Sequence, residues 1–274
     1  MPKIMVSGRG GSGKSTLVTL LAQVLGERGK VLVVDADESN LSLGDMLGQE
    51  APAASLMDYL GGKPAVREKL LASLQQGRGE SVSWGIPNPD FFMEDLSLGN
   101  LPRECVGGDG PVGYLRIGKI EHSLEGCACP MGAVARSFLK QLAVNKDEWV
   151  IVDTEAGVEH FGRGVLEGVD AVVMVVDPSR EALLLAGKVK MLTAEAKKDF
   201  LAVLNKVDAE TEPFLRQELA AQGIPVGGAF GFSPEIMKAN LAGKPMAAEN
   251  WRGKTNELLA SLSFKDEESF CDLV

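Results

Sequence analysis

No stretch of the sequence is apolar for long enough to cross a membrane as a helix. No secretory leader is expected, because residues 1–7 are too few and pass straight into a glycine-rich turn. Positive charge is in deficit: 28 Lys and Arg stand against 38 Asp and Glu, a net charge of -10. That balance argues against nucleic acid or an anionic membrane as the main partner. Cysteine is scarce, with only Cys105, Cys127, Cys129 and Cys271. In a chain expected in the cytoplasm, these read as thiols or metal ligands rather than structural disulfides. There is no internal repeat and no low-complexity tract. What remains is 274 residues at 45% hydrophobic content, enough for one large domain with a sizeable core.

The most informative stretch is Gly8-Arg9-Gly10-Gly11-Ser12-Gly13-Lys14-Ser15-Thr16. Gly8, Gly13, Lys14 and Ser15 fit the phosphate-loop pattern G-x-x-x-x-G-K-[ST]. Glycines let backbone N–H groups approach phosphate oxygens with no Cβ in the way. Lys14 is suited to the β- and γ-phosphates of ATP or ADP, and the Ser15 hydroxyl to Mg²⁺. The apolar run 3–7 before the loop predicts a strand, and the spacing over 16–25 predicts a helix whose N-terminus favours an anion.

Alternation of apolar runs with longer helical patterns continues to the C-terminal third. Strands are predicted at 31–34, 150–152, 171–176, 200–204 and 225–229, and helices at 131–144, 180–196 and 212–222. The fold class is therefore α/β: a doubly wound, mostly parallel sheet with helices on both faces. Residues 1–274 read as a single phosphate-loop NTPase domain, with a Gly- and Pro-rich excursion over about 79–129 holding one strand near 113–117. An excursion of that length carries function or is disordered. Trp84, Phe91, Phe92, Met174 and Met191 read as core.

Several residues follow predicted strands and so belong to the sheet edge where ligands bind. Asp35 and Asp37 follow the second strand, and one of them suits a water attacking the γ-phosphate. Asp153 opens Asp-Thr-Glu-Ala-Gly and suits Mg²⁺ through a water. Gly157 gives the next loop freedom to change conformation. Asn205 begins Asn-Lys-Val-Asp and can read a base edge. Asp208 either accepts from guanine, which keeps GTP open beside ATP, or caps the next helix. Cys127-Ala128-Cys129-Pro130 precedes a helix. Two thiols at that spacing supply two of the four ligands of a tetrahedral site, and a second copy across a two-fold axis can supply the rest. A redox disulfide and two ordinary thiols are the alternatives. His160 and Cys105 are weaker candidates, as an extra ligand or as packing. Cys271 has no partner pattern.

The loop Arg9-Gly10-Gly11-Ser12-Gly13-Lys14-Ser15, followed by Asp35-Ala36-Asp37, resembles the deviant phosphate loop of the dimeric ATPases that include MinD and the nitrogenase iron protein. With the Cys-x-Cys before a helix and Asp153-Thr-Glu-Ala-Gly-Val-Glu-His-Phe-Gly-Arg-Gly, the sequence is most similar to the CooC-type accessory ATPases of nickel insertion into carbon monoxide dehydrogenase. That resemblance implies an ATP-dependent homodimer. It implies Zn²⁺ or Ni²⁺ bound by Cys127 and Cys129 of both subunits, Asp37 as the water-positioning residue, Asp153 on the magnesium side, and carbon monoxide dehydrogenase as client. Where those families carry a lysine that acts across the dimer, this chain has Arg9, which keeps the charge and adds a bidentate fork. Two neighbouring functions share the nucleotide site: a [4Fe–4S] reductase like the nitrogenase iron protein, and a MinD-type positioning ATPase. The acidic run 266–268 is the wrong sign for the membrane helix of the latter.

Overall fold

The structure is a computed structural model that describes residues 2–75, 89–92, 95–120, 129–247 and 249–262. Its elements in chain order are β1 (Lys3–Gly8), α1 (Lys14–Gly26), β2 (Lys30–Ala36), α2 (Leu43–Leu47), α3 (Leu56–Tyr59) and α4 (Gly62–Gln75). Then come β3 (Val106–Gly107), β4 (Val112–Arg116), α5 (Cys129–Gln141), β5 (Glu148–Thr154), α6 (Glu159–Gly162) and β6 (Ala171–Val176). The last are α7 (Arg180–Glu195), β7 (Asp199–Val207), α8 (Thr211–Ala221), β8 (Val226–Gly231), α9 (Pro234–Leu241) and α10 (Arg252–Ser261).

One eight-stranded sheet has the order β3-β4-β2-β5-β1-β6-β7-β8. Every pairing is parallel except β3 with β4. The central strands are β-branched and apolar because both their faces are covered. On β1, Met5 lies in the core layer that holds Phe138 and Leu139 of α5, while Ile4 and Val6 lie in the opposite layer with Leu17 and Leu21 of α1. This period of two divides the core into two layers, and each fully buried aliphatic side chain contributes about 1.5–3 kcal/mol.

The predicted strands and long helices fall where the apolar periodicity places them. The stretch 79–129 is in part built into the sheet. β4 pairs with β2 from Val31↔Val112 to Asp35↔Arg116, and Cys105, Leu115 and Ile117 join the core. Met191 is a correction. It is 60% exposed on the outer face of α7, whereas Met174 is wholly buried. Phe91 is buried and Phe92 packs edge-on against Phe138. Trp84, Cys127, Cys271 and the acidic run 266–268 lie outside the described residues. No helix among the described residues is long and apolar enough to cross a membrane.

The strand order reverses its direction of growth at β1, which lies between β5 and β6. The carboxyl ends of β1, β2, β5, β6 and β7 therefore converge on one edge, where a ligand crevice opens.

Candidate functional site

β1 ends at Gly8, and residues 9–13 turn the chain into α1. Gly13 has φ of +99°, and a Cβ there would fall 2.1 Å from Nδ2 of Asn205. Only glycine meets both demands. No side chain caps α1 and no acid stands in its first turn. Its leading N–H groups are left for an anion. Lys14 is buried, with Nζ 3.3 Å from the Arg9 carbonyl oxygen. The loop opens into a cavity of about 610 Å³, lined at one end by Gly10, Gly13, Lys14, Ser15 and Asp37 and at the other by aromatic and aliphatic side chains that include Phe232 and Trp251.

Ser15, Asp153 and Asn40 form a buttress beside the loop. The Ser15 hydroxyl donates to Oδ2 of Asp153 at 2.7 Å, and Nδ2 of Asn40 donates to both Ser15 Oγ at 2.9 Å and Asp153 Oδ2 at 3.1 Å. Asp153 is wholly buried, and its Oδ1 has no hydrogen-bond partner among the described residues. Burial pushes its carboxyl up to about 7, helped by the negative charges of Asp35 and Asp37 and opposed by Ser15 and Lys14. A buried carboxylate with an unused oxygen, beside a hydroxyl, suits a hard divalent cation. These residues therefore fit Mg²⁺.

Asp35, near the end of β2, and Asp37, just past it, are placed differently. Asp35 is fully buried and accepts from Tyr114 Oη at 2.8 Å and Lys119 Nζ at 2.7 Å. It is a structural anchor and not a candidate for the water. Asp37 lines the cavity, and its Oδ1 accepts from the N–H and hydroxyl of Ser39 at 2.9 and 2.7 Å.

Arg9 is held within its own chain. Its Nε donates to Oδ1 of Asp177 at 2.7 Å, and Nη2 pairs with Oδ2 of the same carboxylate. Asp177 follows β6 directly, and the sequence reading passed it over. Asn205 lines the cavity, but its Nδ2 is donated to the Ser12 carbonyl at 2.7 Å, so it braces the loop from β7. Lys206 does the same for Gly11 at 2.7 Å. Asp208 caps the turn into α8, accepting from the N–H of Glu210 and from the N–H and hydroxyl of Thr211. All three bonds fall on Oδ1, the helix-capping arrangement.

Cys129 is the first residue of α5 and is exposed. Cys127 lies outside the described residues, so the pair's geometry is not part of the site. Among the described residues, no group of three or more His, Cys, Asp or Glu is placed to hold a metal ion. Cys105 is buried with Sγ 3.9 Å from the Ser55 carbonyl, and burial pushes its thiol up to about 11. It stays a protonated core thiol. His160 is buried. Its Nε2 accepts the Glu155 N–H at 2.7 Å, and burial with the charge of Arg163 lowers its pKa to about 4. The ring is therefore neutral and fixes the turn after β5, where Gly157 has φ of +96° and donates to the Gly8 carbonyl at 3.2 Å.

Two other members went unread in the sequence: Asn40 lacks a motif, whereas Asp177 directly follows the predicted strand 171–176, a signal that could have found it. Glu38, Glu155 and Arg163 form a charged cluster between the turns after β2 and β5: Arg163 Nη1 lies 3.1 Å from Glu38 and 3.5 Å from Glu155.

Residues 3–246 match the model of the CobQ/CobB/MinD/ParA nucleotide-binding domain family. The chain is 40% identical over 248 residues to an uncharacterized ATP-binding protein of Methanocaldococcus jannaschii, covering 90% of this chain and 94% of the relative. It is 31% identical over 265 residues to the carbon monoxide dehydrogenase accessory protein CooC of Rhodospirillum rubrum, covering 95% of each. In fold it is similar to the cell-division ATPase MinD of Pyrococcus furiosus, with a TM-score of 0.64 at 21% identity over 96% of this chain and 100% of the other. The phosphate loop, the buttressed Asp153 and the family match agree: the chain is a phosphate-loop ATPase of the CobQ/CobB/MinD/ParA nucleotide-binding family.

Proposed function

We propose that the chain is a cytoplasmic, homodimeric ATPase that handles nickel or zinc through Cys127 and Cys129 and serves nickel insertion into carbon monoxide dehydrogenase. Similarity to CooC along nearly the whole chain supports the client. The observation that carries the metal role is the place of Cys129. It opens α5, whose first turn packs by Met131 against Gly118, just past β4, at the same sheet edge as the phosphate loop.

In this assignment, the loop from Gly8 to Thr16 cradles the phosphates of ATP, and Lys14 neutralises them. Ser15 and Asp153 would hold Mg²⁺, which when bound would supply charge neutralisation at the transferring phosphoryl group. Asp37 orients the attacking water, and Arg9 of one subunit acts on the nucleotide of the other. Face-to-face closure brings four thiolates together, two from each subunit, as a tetrahedral metal site requires. Hydrolysis reopens the pair and exposes the metal.

Size-exclusion chromatography with metal analysis, with and without ATP, tests this. The wild type should elute as a dimer with about one Zn²⁺ or Ni²⁺ per two chains, and the double variant Cys127→Ser with Cys129→Ser should lose the metal. Stoichiometric metal retained in the double variant would sink the proposal. A brown, iron- and sulfide-containing protein would replace it with the cluster-bearing alternative.

A further inference from the structure

Directly after Asp37 the chain buries a carboxyl group. Glu38 is 5% exposed, and its carboxylate is bridged by Arg163 to Glu155. Asp37 and Glu155 both line the nucleotide cavity. Arg163 thus joins the two turns that face a bound nucleotide. Its aliphatic stem also lies across the first turn of α5. A Cβ at Gly132 would sit 2.6 Å from Arg163 Cδ and 3.0 Å from its Cβ, so glycine allows this approach. Gly132 is the third residue after Cys129.

The other flank of the cysteine pair is tied to the same turn. Lys119 Nζ donates to the Asp35 carboxylate at 2.7 Å and to the Asp37 carbonyl at 2.6 Å. Its neighbour Gly118 packs on Met131: a Cβ at Gly118 would lie 3.3 Å from Met131 Sδ. The chain at residue 118 and the chain at residue 131 therefore touch each other, and each is held by a cation to the Asp35–Glu38 turn.

We propose that Arg163 and Lys119 are positioning residues that carry a shift of the Asp37–Glu38 turn, on gain or loss of the γ-phosphate, to Cys129. A buried ion pair resists separation, because parting it leaves an uncompensated charge. The turn and the first turn of α5 then move together, between discrete arrangements. The relay rests on the metal-handling assignment for its purpose, but the motion itself is measurable with no metal present.

The test is the alkylation rate of Cys129 by iodoacetamide. It is read by peptide mass spectrometry on metal-stripped full-length protein, with Mg-ADP and with a non-hydrolysable Mg-ATP analogue. The wild-type rates should differ by about fivefold or more between the two states, the lower end of ordinary coupling between sites. Arg163→Met and Lys119→Met should bring the ratio close to one while fluorescent-nucleotide affinity stays within about threefold, and Arg163→Lys should restore part of it. Gly132→Ala, which forces the arginine stem aside, is a second perturbation should either Met variant fold poorly. Equal wild-type rates in the two states, or an undiminished ratio in folded Arg163→Met and Gly132→Ala proteins, would overturn the relay. Absence of metal from the purified dimer, with the ratio and its Arg163 dependence intact, would remove the metal-handling assignment and leave the relay standing.

Discussion

Glu38→Gln isolates one buried charge without changing the shape of its side chain. In the folded protein the Glu38 carboxyl is pushed up to about 7, first by burial and then by the neighbouring Glu155 charge, with Arg163 pulling the other way. In the unfolded chain it returns to the ordinary 4.5. The folded state therefore holds this proton more tightly. The stability the group contributes is complete below pH 4.5 and is lost as pH rises through about 7. At about 1.36 kcal/mol per pH unit the full gap is worth about 3 kcal/mol. Glu155 competes for the same proton and the same arginine, so about half of that should appear on replacing Glu38 alone. The amide cannot ionise, and Arg163 keeps Glu155 as its charged partner at 3.5 Å. Glu38→Gln should therefore match the wild type near pH 5 and exceed it by about 1–2 kcal/mol near pH 8. For a chain of this size that corresponds to about 2–4 °C in the thermal midpoint. Scanning calorimetry from pH 5 to 8, in chelator and without nucleotide, measures it. An unchanged pH slope, or a variant less stable at pH 8, would refute the assignment of a raised pKa to this carboxyl.

Asp153→Asn should weaken Mg²⁺-dependent nucleotide binding by about 10- to 100-fold, the usual loss when a residue orienting a metal's shell is removed; fluorescence titration of Mg²⁺ at fixed nucleotide checks this. Arg9→Ala should lower turnover by about 10³-fold, the lower end for an arginine acting across an interface, with ATP affinity nearly unchanged in a binding assay; unchanged turnover would make Arg9 a loop residue held by Asp177. Asp208→Ala should lower the thermal midpoint slightly, through loss of the cap on α8, and leave the ATP-to-GTP ratio of hydrolysis rates where it was; a shift toward ATP would return Asp208 to the base site.

The strands were legible because a strand covered on both faces has to be a continuous apolar run, as Val31 to Val34 and Ala171 to Val176 are. The phosphate loop was legible because its chemistry is packed into consecutive residues. Two short helices left signals that were passed over. α3 has a capping box, in which Ser55 and Asp58 satisfy each other's backbone, and α9 opens on Ser233-Pro234 with the serine accepting from Ile236. α4 gave no amphipathic signal, since among its described side chains only Val66 is fully buried. Asp35 and Asp37 could not be told apart, because the partners that decide the matter, Tyr114 of β4 and Lys119 just past it, join the sheet edge from far along the chain.

That last point extends to the site as a whole. The groups that bind phosphate are neighbours in sequence, and a motif records them. The groups that hold the loop and the neighbouring turns in place are pairs: Arg9 with Asp177 across 168 positions, Glu38 with Arg163 across 125, Lys119 with Asp35 across 84. Each pair is an arginine or lysine with a carboxylate, types so common that no local pattern marks them, and each becomes specific only when the sheet order brings its strand ends together. In this architecture phosphate binding is local, and the bracing of the turns around it is topological. A change at Arg163 should therefore alter the response to nucleotide while leaving the phosphate loop's own geometry as Gly8 to Thr16 dictates.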